Sequence, residues 1–323
     1  MLLPLFILGL VASGWCQQCN NNNCEPPDCR CFDGDEPGDF DRADIPQMVL
    51  VTLGYELNSE YGDLYKSLFT VRNPNDCPVT GTIFVQDVGS DYNLAKDFYD
   101  NKFEIGIQSP QGEKPTEQKD WDDAIKKVKD SLVGAGINED DIRGFKANAL
   151  NPGGLLEYTA MGTNKLVYSV DCVTTQFDTK STYKFPYTFD FPDTDNSCNT
   201  GELPTEVFKG KWGISIPALT YKGTKCATAA GCAAVVTTKQ DAFDILYNNF
   251  NEHYDGNRAP FVVEIDPVWV KNQDYLDGTI EFLEYVRAAF DDTWIINAWQ
   301  AVEWVRNPTP TSNITNFDPW KCD

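Results

Sequence analysis

The chain contains one histidine, His253, among 323 residues. That scarcity bears directly on chemistry, because imidazole is the commonest metal ligand and the usual proton carrier near neutral pH. A Ser-His-Asp or Cys-His arrangement would have to use His253, and no Gly-x-Ser-x-Gly segment is present. No Gly-x-Gly-x-x-Gly follows the first expected strand, so nothing supports a dinucleotide site. No apolar run reaches the roughly 18 residues of a membrane helix. Positive charge is also scarce: 26 Lys and Arg stand against 49 Asp and Glu, a net charge of −23. Phosphate repels such a surface, which sets nucleic acid aside as a partner. The acidic balance favours solubility and would attract cationic partners or calcium.

What is present begins with Leu2 to Val11, almost continuously apolar, followed by the small residues Ala12-Ser13-Gly14. This reads as a secretory signal over residues 1–16, cleaved after Gly14 or after Cys16, so a soluble, exported chain is expected. Eleven cysteines suit an oxidising compartment, and ten remain if cleavage follows Cys16. Residues 17–45 carry Cys19, Cys24, Cys29 and Cys31 among Asn, Pro, Asp and Gly, with no hydrophobic period; they read as a disulfide-stapled lead-in. One residue between Cys29 and Cys31 is a poor spacing for zinc. Cys226 and Cys232 flank Gly231 closely enough to form a local bridge. The Pro-, Asn- and Thr-rich tail, 307–323, holds the glycosylation sequon Asn313-Ile314-Thr315 and ends near Cys322, expected to tie it down.

Between lead-in and tail, residues 46–306 alternate short apolar runs with amphipathic stretches. Strands are expected at Met48–Leu53, Gly81–Gln86, Phe103–Ile107, Arg143–Ala147, Leu166–Val170, Gly213–Leu219, Pro260–Ile265 and Thr293–Ile296. Trp121, Ile125, Val128 and Leu132 define one face of a helix that stops at Gly134 and Gly136. Similar stripes run through Phe243 to Phe250, Leu276 to Phe290 and Ala298 to Val305. Strand–helix alternation means a parallel α/β architecture. The strand count favours a closed (β/α) barrel over an open doubly wound sheet.

Ordered segments then point further. Ile45-Pro46-Gln47-Met48-Val49-Leu50, Asn249-Phe250-Asn251-Glu252-His253-Tyr254 with Asn257-Arg258-Ala259-Pro260-Phe261, and Trp304-Val305-Arg306-Asn307-Pro308-Thr309-Pro310 resemble the animal chitin deacetylases of the polysaccharide deacetylase (NodB-homology, carbohydrate esterase 4) family. Shorter matches at Asp76-Cys77-Pro78, Asp141 to Phe145 and Phe185 to Asp190 keep the same order. The resemblance implies a distorted parallel (β/α) barrel. It also implies a deacetylase acting on N-acetylglucosamine polymers, with Zn²⁺ held by an Asp and two His, a catalytic Asp base and a His acid.

None of those groups stands where the resemblance would place it. Thr52-Leu53-Gly54-Tyr55 replaces the segment that carries the base and the metal Asp. Gln108 and Gly112 stand at the positions of the two metal histidines. Lys146-Ala147-Asn148 replaces Arg-x-Pro, Tyr168-Ser169-Val170 replaces Tyr-Asp-Ser, and Asp266, three residues before Trp269, replaces the acid histidine. His253 falls in a framework segment, as a packing residue. The expectation is therefore a chain without catalytic or metal-ligating residues and without a cofactor. Tyr55, Tyr187, Trp212 and Trp269 flank the family's groove and are candidates to stack on sugar rings. The carboxylates Glu56, Asp171, Glu264 and Asp266 keep open a divergent hydrolase or a calcium site. The expected partner is chitin or a chitosan-like glycan in an extracellular matrix, with cationic matrix proteins or calcium as alternatives, and the chain is expected to be a monomer.

Overall fold

The computed structural model describes residues 18–20, 22–33, 35–174, 182–192 and 198–322. The expected signal, residues 1–16, lies outside the described residues. The chain runs β1 (Gln47–Leu53), α1 (Ser59–Leu68), β2 (Thr82–Val85), α2 (Tyr92–Asp100), β3 (Glu104–Gln108), α3 (Gln118–Gly134), β4 (Gly144–Lys146) and α4 (Leu155–Thr163). It continues through β5 (Tyr168–Thr174), β6 (Tyr187–Phe189), β7 (Phe208–Pro217), β8 (Leu219–Tyr221), β9 (Thr224–Cys226) and α5 (Lys239–Tyr254). It ends with β10 (Phe261–Ile265), α6 (Pro267–Lys271), α7 (Gln273–Ala289), β11 (Thr293–Ile296) and α8 (Ala298–Arg306).

The main sheet has the order β10-β1-β2-β3-β4-β5-β7-β6, with β11 also on β1. Every pair in it is parallel except β6–β7. One edge of β1 pairs with β10 from Val49 to Leu53. The other edge holds β11 at Gln47–Leu50 and then β2 at Thr52–Leu53. The sheet curls until β7 lies beside β10, a contact without a ladder among the described residues. This is the distorted (β/α) barrel that the resemblance implied, with the closure that the strand count favoured.

Strand alternation sorts the interior into two layers. Val49, Val51 and Leu53 face the helices, in one core with Trp121, Ile125 and Phe250. Met48 and Leu50 face the barrel axis, in a second core with Phe84, Trp212, Val262 and Trp304. Thr52 and Glu264 share that inward parity and lie opposite each other in register. The helices begin at capping side chains: Asn58 accepts from Tyr61 N–H at 3.2 Å, Thr238 from Asp241 N–H at 3.1 Å, and Asn297 forms a capping box with Gln300.

The expected strand Gly213–Leu219 is two elements. β7 ends at Pro217, and Leu219 opens the β8/β9 hairpin, whose Lys222 and Gly223 both have positive φ, the conformation a two-residue hairpin loop demands. Cys226–Cys232 closes the loop after it. The lead-in is pinned by Cys19–Cys31 and Cys24–Cys29, which employ the cysteines that could otherwise cluster on a metal. Cys77–Cys322 ties the tail to the loop before β2. Asn313 is exposed. No helix among the described residues is long and apolar enough to cross a membrane.

His253 is on α5, 1% exposed, with its ring stacked on Tyr183 at 3.8 Å and its Nδ1–H donating to the Ala259 carbonyl at 2.9 Å. Burial lowers its pKa to about 4. In the unfolded chain it titrates near 6.5. The folded state thus binds fewer protons, and the stability this histidine contributes is present above about 6.5 and lost as pH falls toward about 4. Because it is the sole imidazole, its carbon–proton NMR signals report one site. They should titrate near 4; a midpoint above 6 would contradict the buried placement.

Candidate functional site

Active sites of parallel barrels form at the carboxyl ends of the strands. Here that end holds a cavity of about 230 Å³ lined by Tyr55, Gln108, Lys146, Leu150, Glu264 and Asp266. The strand parity explains the gathering. Thr52 and Gly54 from β1 and the turn after it, Gln108 from β3, Lys146 from β4, and Glu264 and Asp266 from β10 and its end all share the inward parity.

The centre is a buried ion pair. Lys146 Nζ lies 2.5 Å from Glu264 Oε1, with both side chains under 5% exposed. The other Glu264 oxygen accepts from the Thr52 hydroxyl. Burial pushes the Glu264 carboxyl up, while Lys146 and Thr52 oppose the shift. The Lys146 ammonium also lies 5.2 Å from the centre of the Phe84 ring.

Gly54 is what lets Lys146 extend this far. A Cβ at residue 54 would collide with Lys146 Nζ and would stand 2.5 Å from Gln108 Oε1. Gln108 turns its carbonyl to the Tyr55 N–H at 2.7 Å. That bond holds Tyr55 in the left-handed region, φ 78°. Burial, then Glu264, Asp266 and Glu56, raise the Tyr55 hydroxyl to about 12, so it stays a proton donor. Asp266 caps α6, accepting from Trp269 N–H at 2.9 Å.

Gly112 does not join this group. It lies at φ 121° in the loop after β3 and lines a separate small cavity with Ser109 and Lys114. Of the four aromatic residues expected to flank a groove, only Tyr55 reaches the cavity. Tyr187 is packed edge-on to Phe32 of the lead-in, at 4.4 Å. Trp212 lies in the barrel core at 2% exposure. Trp269 is wholly buried, its indole N–H donating to Thr279 at 2.8 Å. Their side chains serve packing, and none offers an open face to a sugar. Lys146 was noted only as a replaced arginine; its role as the cationic centre depends on reach, which no motif spacing encodes.

The remaining carboxylates are occupied differently. Glu56 accepts from Gln86 at 3.2 Å. Asp171 lies outside the cavity, buried against Glu157. Asp171 Oδ2 accepts from the Ala147 N–H at 3.4 Å and Glu157 Oε2 from the Gly153 N–H at 2.7 Å. The remaining oxygens, Glu157 Oε1 and Asp171 Oδ1, are buried without a hydrogen-bond partner among the described residues, and the two carboxyls shift one another. Burial, then the Asp171 charge, holds Glu157 well above the carboxylate range, and burial raises Asp171 to about 6. A larger cavity, about 410 Å³, lies at the opposite end of β3 beside Glu104. That carboxylate already accepts from Tyr168, Trp299 and Thr82 at 2.7, 2.9 and 3.0 Å, so it has no call for a ligand.

As a zinc site the first cavity fits poorly. Gly54 supplies no donor, the Gln108 amide is neutral and committed, and an ammonium occupies the centre. No imidazole faces it.

No family model matches the chain. It is 25% identical to chitin deacetylase 1 of Bombyx mori across 94% of its own length and 59% of that protein's. It is 26% identical to chitin deacetylase 8 of the same organism across 90% of its own length and 79% of that protein's. Among solved structures, a Mycobacterium smegmatis protein assigned to the polysaccharide deacetylases superposes with a TM-score of 0.56 at 14% identity, covering 84% of this chain and 94% of the other. The chain is chitin-deacetylase-like and has the polysaccharide deacetylase fold.

Two measurements follow from the buried charges. Lys146→Met strands Glu264 and should cost about 3–5 kcal/mol in denaturant unfolding, whereas the double change Lys146→Met with Glu264→Leu should recover most of that loss. The Asp171–Glu157 pair has raised pKa values in the fold, so the folded state binds more protons. The stability it contributes is full below about 4 and is lost as pH rises through about 6 and beyond. The slope is on the order of 1.4 kcal/mol per pH unit for each group held protonated. Glu157→Gln should flatten that decline between pH 5 and 8; an unchanged slope would mean the two carboxyls do not shift one another.

Proposed function

We propose that this chain is a secreted, chitin-deacetylase-like protein that has lost metal-dependent deacetylation and binds chitin or a related N-acetylglucosamine glycan in an extracellular matrix. The observation that carries the loss of chemistry is the Lys146–Glu264 pair seated against Gly54. A divalent cation brought there would face an ammonium, and Glu264 is already neutralised by it. Without the metal, nothing in the cavity polarises an acetyl carbonyl strongly or activates water. Asp266, committed to capping α6, is a poor substitute for a proton-donating histidine.

Glycan binding is supported by the relatives' names and by what survives at the barrel mouth. Tyr55 presents a half-buried ring and a protonated hydroxyl beside Asp266. An aromatic face beside hydrogen-bonding groups suits a pyranose ring. Export is supported by four disulfides and by the apolar run at residues 2–11. The division into signal, lead-in, barrel and tail belongs to the same proposal.

Purified protein should carry no stoichiometric zinc, release no acetate from chitin oligomers, and be retained on chitin beads at physiological salt. Tyr55→Ala should weaken retention by about tenfold, the loss of roughly 1.4 kcal/mol, with unfolding unchanged in cooperativity. Bound zinc together with acetate release would overturn the loss of chemistry. Retention on chitosan alone, abolished by high salt, would replace the groove by simple attraction to the −23 charge.

A further inference from the structure

Four disulfides account for eight of the eleven cysteines. Cys16 lies outside the described residues. Cys172 and Cys198 are buried thiols, 2% and 4% exposed. They are brought together by the backbone. Cys172 is on β5, past the irregularity that shifts its register against β7, and it pairs with Ser215. The chain returns to the end of β5 at Asn199, whose N–H donates to the Val173 carbonyl at 2.8 Å and whose side-chain amide donates to the same oxygen at 3.3 Å. This double tie sets residue 198 against residue 172, with the Cys172 side chain placed to lower the Cys198 thiol.

We propose that Cys172 and Cys198 are joined as a fifth disulfide when the chain folds in a compartment containing a disulfide-bearing oxidant. The Cys198 thiolate attacks the oxidant's S–S bond, forming a mixed disulfide and releasing one oxidant sulfur, which takes up a proton. Cys172, deprotonated in turn, attacks the Cys198 sulfur and expels the second. The two protein thiols lose two electrons and two protons, and the oxidant is reduced to two thiols. Cys198 is the suited first attacker, because the Cys172 side chain lowers its thiol below the ordinary range. Exchange takes place before the strand end is covered, since both sulfurs are buried afterwards.

The bridge has a structural consequence. It fastens the returning chain beside Asp171, which accepts from the Ala147 N–H next to Lys146. It therefore stiffens the β4–β5 wall of the cavity. This inference does not depend on the glycan reading.

The test is disulfide mapping of the full chain exported from a eukaryotic host. The protein is alkylated in denaturant without reductant, then digested and analysed by mass spectrometry. The expected result is a Cys172–Cys198 cross-linked peptide, with neither cysteine alkylated. Cys198→Ser should expose Cys172 to alkylation, and Cys172→Ser should expose Cys198, even where the variant unfolds. Alkylation of both cysteines in the unsubstituted chain, or a cross-link from either to another cysteine, would overturn the proposal.

Discussion

Lys146 and Glu264 form a contact around which the mouth of the barrel is arranged. Removing an ammonium and a carboxylate from water costs several kcal/mol for each, and the cost is recovered only if both ends are satisfied. Glu264 therefore needs the Thr52 hydroxyl on its second oxygen, and the in-register pairing of β1 with β10 provides it. Lys146 needs room, and Gly54 supplies it. Gln108 is turned toward the Tyr55 amide, which in turn fixes the left-handed bend that carries β1 into its loop. One ion pair thus constrains residues from four strands and the turn after β1. At 4 Å and an effective dielectric of about 20, two like unit charges repel by about 4 kcal/mol, and a divalent ion would meet roughly twice that. The ammonium and a metal are alternatives at this position.

The other buried acids are stabilised in different ways. Glu104 lies at the opposite end of β3, at the N-terminus of α8, where the Trp299 N–H and two hydroxyls bind it. Glu157 and Asp171 form no ion pair among the described residues, and burial holds both above the ordinary carboxylate range. A chain with 49 acidic residues keeps most of them in water and buries only a few, each with its own partners. The interior is consequently far closer to electrical balance than the surface, and acid and base act on different buried groups. His253 loses stability on the acid side and the carboxyl pair on the alkaline side.

The framework was legible because parallel barrel strands are short apolar runs separated by helical stripes, a pattern that depends only on local periodicity. The Trp121, Ile125, Val128 and Leu132 face is buried as its spacing required. The expected strand Gly213–Leu219 runs past the end of β7 at Pro217 into Leu219, the first residue of the β8/β9 hairpin, because the apolar run continues across that boundary. The altered positions Gly54, Tyr55, Gln108, Lys146 and Asp266 were also found from sequence and do converge. Gly112 does not, because the loop after β3 carries it away, and motif spacing says nothing about loop path. The aromatic residues were the least readable. Trp269 lies three residues past a capping aspartate, a position that turns inward on α6. Tyr187 is covered by a lead-in whose docking surface has no sequence signature.

On the proposed reading, a barrel released from presenting a metal is free to pack its mouth for stability. Three features here are consistent with that change. Gly54 contributes space instead of a ligand. Gln108 bonds the backbone instead of an ion. Lys146 reaches into the centre and binds Glu264. Each is a small adjustment, but they are coupled: a side chain at residue 54 would displace the Lys146 ammonium, and shortening Lys146 would strand Glu264. This mutual dependence ties Gly54, Gln108, Lys146 and Glu264 into one arrangement.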